Sequence, residues 1–151
     1  MQSLWPEIIL LTTALTVFIY DFIKIPSSRL VLFWLAVIGL LFSLGSFFLS
    51  LPAARFFPDL YVIDPLALIF KTLFILIGLI VLLINYDYFA LQVRRNEGEF
   101  YFLLLVSIFG LVLAVSSPNL LVIYLGIELA SLTSYLMAGW RKSELVSQEA
   151  A

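Results

Sequence analysis

The sequence predicts an all-α integral membrane protein with about five transmembrane helices and its N-terminus outside, and three observations predict it. Hydrophobic residues make up 64% of the chain and charged residues only 12%, whereas a soluble domain carries roughly twice that charge. The apolar residues fall in unbroken runs long enough to cross a hydrocarbon core about 30 Å thick, which takes roughly 20 helical residues. Most of the charged residues collect between those runs.

The spans are read in order as Leu4 to Ile23, Leu30 to Leu51, Leu66 to Tyr86, Phe100 to Ser116 and Leu120 to Trp140. Lipid makes them helical, because backbone polar groups there must be paired within the segment, and barrel strands would be about half as long. The stretch Met1 to Glu7 lacks a positively charged leader and a small-residue cleavage site, so the first run is expected to stay in the mature protein. Residues 1–151 are taken as one transmembrane domain, with a polar cytoplasmic tail at 141–151.

Between the second and third spans, Pro52 to Pro65 mixes Phe56, Phe57 and Tyr61 with Arg55, Asp59 and Asp64. It reads either as an interfacial segment along the outer surface or as a plain loop touching headgroups. Ser116, Ser117, Pro118 and Asn119 allow only a tight turn, so the last two spans form an antiparallel hairpin. Lys24, Arg29, Arg94, Arg95, Arg141 and Lys142 fall on alternate connections. Cations accumulate on the cytoplasmic side, which puts the N-terminus outside and the C-terminus inside. Trp5, Tyr20, Tyr86, Tyr88, Phe100, Tyr101 and Trp140 stand at span ends, as an aromatic belt does.

Cys 0 and His 0 leave the chain without thiolate or imidazole for zinc, haem or an iron-sulfur cluster, and without a thiol nucleophile or disulfide. Eight Lys plus Arg against ten Asp plus Glu give no basic footprint, so nucleic acid is not an expected partner and the lipid bilayer is.

Charged groups at bilayer depth are costly and mark candidate sites. Glu7 and Asp21 bracket the first span near headgroup level, where a carboxylate stays hydrated; Glu7 also follows Pro6 in a first turn whose dipole favours an anion. Lys71 lies in the third span, two helical turns after Asp64 on the same face. It reads as a snorkelling or rim-paired lysine, with a role in a proton path as the alternative.

Glu128 differs, because it lies roughly 3 Å from the middle of the fifth span and is too short to reach water from there. At about 100° per residue, Tyr124, Glu128, Ser131 and Tyr135 share one polar stripe. Gly126, Ala130, Ser134 and Ala138 form a ladder of small residues on the far side, fit for close helix packing. Protein is therefore expected on both faces of this helix. Glu128 is assigned as a proton-relay group with Tyr124, Ser131 and Tyr135 in support, against the alternative of a neutral glutamate hydrogen-bonded to Tyr124 or Tyr135. Lys71, Asp64 and Glu7 follow as secondary candidates.

The segments Glu99 to Leu105, Ser117 to Leu121, Tyr124 to Leu132 and Ser147 to Ala151 resemble the antiporter-like subunit family, in the form of subunit N of proton-pumping NADH:quinone oxidoreductase, respiratory complex I. Leu4 to Leu10 with Asp21, and Ile63 to Lys71, agree with that likeness, which covers essentially the whole chain. The resemblance implies a membrane-arm subunit in a bacterial inner membrane, beside other antiporter-like subunits. It implies that NADH, FMN, iron-sulfur clusters and quinone are handled by other subunits, with no cofactor or metal on this chain. It also implies that the glutamate matching Glu128 pairs with a lysine on a later, broken helix.

The chain departs from the family by stopping at Glu149, Ala150 and Ala151, where the family continues into a sixth helix. The expectation is an N-terminal portion, completed by a second polypeptide in a split subunit or occupying the N-terminal helices as a fragment. Two further readings stand beside it: a non-pumping structural or assembly subunit, and a piece of a related cation/proton antiporter or membrane hydrogenase complex.

Overall fold

The computed structural model describes residues 4–23, 28–49, 55–57, 61–62, 64–91 and 97–139. Its elements are α1 (Trp5–Phe22), α2 (Ser28–Leu49), β1 (Arg55–Phe57), β2 (Tyr61–Val62), α3 (Pro65–Leu91), α4 (Glu97–Val115) and α5 (Leu120–Ala138). The chain is thus a helical integral membrane protein. Among the described residues α1, α3, α4 and α5 are long and apolar enough to cross a bilayer, and α2 adds the apolar stretch Leu30–Ser46.

The helix starts follow from local chemistry. Asp64 caps α3: the Ala67 N–H donates to Asp64 Oδ1 at 2.6 Å, and Pro65 takes the first helical position, where its missing N–H loses nothing. Asn119 caps α5 by accepting from the Leu121 N–H at 2.9 Å. The expected tight turn before it joins α4 and α5 as an antiparallel hairpin.

Two helices extend past the expected spans: α3 runs on to Leu91, although its membrane-crossing stretch ends at Tyr86 as expected, and α4 begins at Glu97 rather than Phe100. A helix need not stop where the apolar run stops. Glu97 and Glu99 sit in the first turn of α4, which the positive end of the helix dipole favours. In the segment Pro52 to Pro65, read either as an interfacial segment or as a plain loop, the described residues pair as β1 against β2, antiparallel, and Tyr61 is buried in the protein. The cations Lys24, Arg94, Arg95, Arg141 and Lys142, Trp140 and the tail 141–151 lie outside the described residues, as do the side chains of Arg29 and Arg55.

Helix α4 is the hub, packing on α1, α2, α3 and α5. Its inward residues Leu105, Ile108 and Val112 meet Leu10, Ala14 and Val17 of α1, Leu32, Ala36 and Leu40 of α2, and Ile75 and Leu82 of α3 in one core. The three- and four-residue steps in each set are the stripe of a helix. Lipid tails are as apolar as these side chains, so the helices are held by close packing rather than by exclusion from water. The α4–α5 crossing is the tightest example. A Cβ added at Gly110 would lie 2.6 Å from the Gly126 carbonyl oxygen, and one at Gly126 would lie 2.6 Å from that of Gly110. Neither neighbour is a side chain that could move aside.

Candidate functional site

Among the described residues the candidate side chains fall at two places, one on the surface of α5 and one inside the protein. On α5, Tyr124, Glu128 and Tyr135 are exposed and Ser131 is half-buried, all on the side turned from α4. Among the described residues none of these four makes a side-chain hydrogen bond, so the glutamate is not tied to Tyr124 or Tyr135 as the structural alternative required.

Among the described residues only the Gly126 and Ala130 side of α5 is covered, by α4, and 17% of α5 is buried against 50% of α4, so the cover expected on its other face is not supplied by them. The small-residue ladder is also only half used, since Gly126 and Ala130 are buried while Ser134 and Ala138 are exposed. The reason is geometric. Four-residue steps overshoot a turn of about 3.6 residues, so the ladder drifts off the contact. The buried line continues instead through Thr133. Close approach at this crossing also brings the Ser107 hydroxyl to 3.5 Å from the Ala130 carbonyl oxygen.

The interior place was not assembled from the sequence. Lys71, Glu7 and Tyr61 have 1%, 4% and 6% of their surface exposed. The Lys71 ammonium donates to Glu7 Oε1 at 2.7 Å and to Tyr61 Oη at 2.9 Å, and the Tyr61 hydroxyl donates to the same Glu7 Oε1 at 2.6 Å. The ammonium also lies 5.0 Å from the Tyr61 ring centroid, within cation–π range. Glu7 Oε2 is buried and has no hydrogen-bond partner among the described residues.

Both helices put these groups there by periodicity. Glu7 precedes Leu10, Ala14 and Val17 on the inward stripe of α1, and Lys71 stands between Ala67 and Ile75 on that of α3. Tyr61 reaches them through the ribbon that follows α2. The Ser116 hydroxyl, at the end of α4, lies beside the phenol. Burial first, and then the charge of Glu7, hold the Tyr61 phenol well above its usual range. It therefore stays protonated, donating to Glu7 while accepting from Lys71.

Glu7 is not a hydrated headgroup-level carboxylate, because its position on the core stripe outweighs its place in the first turn. Of the two readings of Lys71, snorkelling or paired at the rim, it is paired, with Glu7 as its buried partner at one end of the bundle. Asp64 is exposed and spends a carboxylate oxygen on the cap of α3. Tyr61 was missed as a site residue. The available signal was register: acid and lysine each fall on their helix's buried stripe.

No family model matches the chain. It is 36% identical over 149 residues to NADH-quinone oxidoreductase subunit N 2 of Chloroherpeton thalassium, an alignment covering 96% of this chain and 29% of that protein. It is 38% identical over 151 residues to NADH-quinone oxidoreductase subunit N 1 of Aquifex aeolicus, covering 99% of this chain and 32% of the relative. It is 33% identical over 153 residues to NADH-quinone oxidoreductase subunit N of a Geobacillus species, covering 99% and 31%. The chain spans about three tenths of the length of the curated relatives it matches, and it resembles the N-terminal part of subunit N. A bacterial inner membrane fits these bacterial relatives.

Proposed function

We propose that this chain serves as the N-terminal portion of a subunit N in the membrane arm of a proton-translocating NADH:quinone oxidoreductase, and that Glu128 is a relay group at mid-membrane. The observation that carries this reading is the exposed stripe of Tyr124, Glu128 and Tyr135 on α5. A carboxylate one residue from the centre of a 19-residue apolar helix is costly against lipid. A stripe of that kind calls for cover by further helices, and the small-residue contact with α4 leaves the stripe free to receive them. The likeness to subunit N over nearly the whole chain supports this choice of complex.

In this reading the covering helices come from the remainder of the subunit, on this polypeptide or a second one, and a cation among them pairs with Glu128. Tyr124, Ser131 and Tyr135 offer hydroxyls along the same face for a hydrogen-bonded path. Other membrane-arm subunits are the neighbours, and NADH, FMN, iron-sulfur clusters and quinone belong to other subunits. The N-terminus faces outward, so the start of α1 and the start of α3 lie at the outer boundary.

The test is Glu128→Gln in the assembled complex, reconstituted in vesicles. Proton pumping coupled to quinone reduction is expected to fall at least tenfold while the complex still assembles. Undiminished pumping in an intact complex would assign the chain a structural role instead.

A further inference from the structure

The interior cluster has an unusual distribution of hydrogen bonds. Lys71 and Tyr61 both bond to Oε1 of Glu7, while Oε2, equally buried, has no partner among the described residues. A buried carboxylate oxygen left in that state carries a substantial desolvation penalty, larger than that of a neutral acceptor because it shares a charge. It is a strong acceptor aimed at no donor of the described protein, and the smallest donors that can satisfy it are water and the proton that water carries.

A second feature concerns the lysine. Lys71 follows Asp64 by two turns of α3, helical side chains lean toward the N-terminus of their helix, and Asp64 lies within electrostatic range of the ammonium. The lysine therefore has two acids within its sweep, one buried and one exposed at the start of the helix.

We infer that Glu7, Tyr61 and Lys71 form a second proton-binding site, at the end of the bundle where α1 and α3 begin, which takes its proton from water on Glu7 Oε2 and then releases the Lys71 ammonium toward Asp64. In the loading step an O–H bond of hydronium breaks and an O–H bond forms at Oε2, leaving water and a neutral carboxylic acid. No electrons are transferred, and Lys71 keeps its three protons. Once Glu7 is neutral its charge no longer draws the ammonium, which keeps only the Tyr61 oxygen and ring against it among the residues described for this cluster, and the carboxylate of Asp64 is the remaining acid within electrostatic range. Tyr61 keeps its proton and positions Glu7. The groups facing Glu7 are Lys71 from α3, Tyr61 from the ribbon, the Ser116 hydroxyl beside that phenol and, from α2, the Ser43 hydroxyl on the Pro6 carbonyl. This site stands apart from Glu128 and does not depend on the role proposed for it.

The test uses the full chain in lipid nanodiscs, with carbon-13 at glutamate carboxyls and nitrogen-15 at lysine ammonium groups, followed by NMR from about pH 4 to about pH 10. The Glu7 and Lys71 signals are assigned with the double variant Glu7→Gln, Lys71→Met, which strands neither charge. The expected result is one carboxyl titration belonging to Glu7, with the Lys71 nitrogen signal moving at the same pH. Asp64→Asn is expected to keep the Glu7 titration and to reduce the Lys71 movement at least twofold. A Glu7 carboxyl that does not titrate while the chain remains helical overturns the site. A Lys71 response unaltered by Asp64→Asn overturns the exchange of partners.

Discussion

Lys71 Nζ lies 2.7 Å from Glu7 Oε1 across 64 residues of sequence, and this buried ion pair joins α1 to α3, two helices that otherwise share little contact. Helix α4 packs on both. The pair therefore acts as a cross-brace at one end of the bundle, with Tyr61 closing the third side.

Breaking that brace from one side should be far worse than removing it whole. Glu7→Gln takes the counter-charge from Lys71 and frees the ammonium toward Asp64, so the tie between α1 and α3 is lost; removing one partner costs about 3–5 kcal/mol in comparable buried pairs. Glu7→Leu combined with Lys71→Met replaces the pair by packing groups, which is often neutral or stabilising. Unfolding of the purified chain in mixed micelles, titrated with denaturing detergent, reads both. If the single and double variants lost equal stability, the ion pair would not be the source.

Tyr61 supplies the second prediction, with its sign fixed by the direction of its shift. Its phenol is raised in the folded state, so the folded chain holds a proton that the unfolded chain releases above about pH 10. Stability from this group is fully present below that pH and is lost as pH rises through it, at about 1.4 kcal/mol per pH unit. Tyr61→Phe should remove this slope, along with about 1–3 kcal/mol at neutral pH from the two hydrogen bonds lost with the hydroxyl, while Lys71 and Glu7 keep each other. The check is the difference in unfolding midpoint between the parent chain and Tyr61→Phe, measured between about pH 9 and about pH 11. Parallel curves for the two would count against a buried, neutral phenol.

The helix hairpin offers a third, built on a contrast between glycines. Gly126→Ala drives a methyl into the Gly110 carbonyl and the Ala114 backbone nitrogen, so α4 and α5 must part, at about 1–3 kcal/mol. Gly45 on α2 meets nothing within 4 Å, and Gly45→Ala should be stabilising by up to about 1 kcal/mol through helix propensity. Thermal unfolding of the two variants side by side separates a packing role from a general intolerance of side chains at glycine.

How far the sequence could be read follows from which signals are local. The five helices, the Ser116 to Asn119 turn and the Gly126–Ala130 contact face all rest on neighbouring residues, and each stands in the structure. Glu7 and Lys71 are placed by how α1 and α3 rotate about their axes, and that rotation is set by contacts with α4 far along the chain. Each residue was judged by its depth alone, which favours hydration at a span end. The steps from Glu7 to Leu10 and from Lys71 to Ile75 would have shown both on the inward stripe. Tyr61 had no such periodicity to betray it, since a ribbon of two short strands follows neither helical nor extended patterning for long enough. Glu128 was legible as an oddity, and the cover expected on its face of α5 is not supplied by the described residues.

Glu128 itself carries a prediction in which stability and function move in opposite directions. In the isolated chain its carboxyl group stands on an uncovered face near the centre of α5, so Glu128→Leu replaces a residue costly in hydrocarbon by a favourable one. Membrane insertion of α5 should improve by about 2–3 kcal/mol, read as the inserted fraction in a glycosylation-based assay of the full chain. In the assembled complex the same substitution should abolish the contribution of this face to proton movement, because leucine can neither hold a proton nor attract a cation. A residue retained for packing would show the reverse, with poorer insertion and unchanged pumping. Measuring both in one variant distinguishes a glutamate that serves chemistry from one that serves the helix.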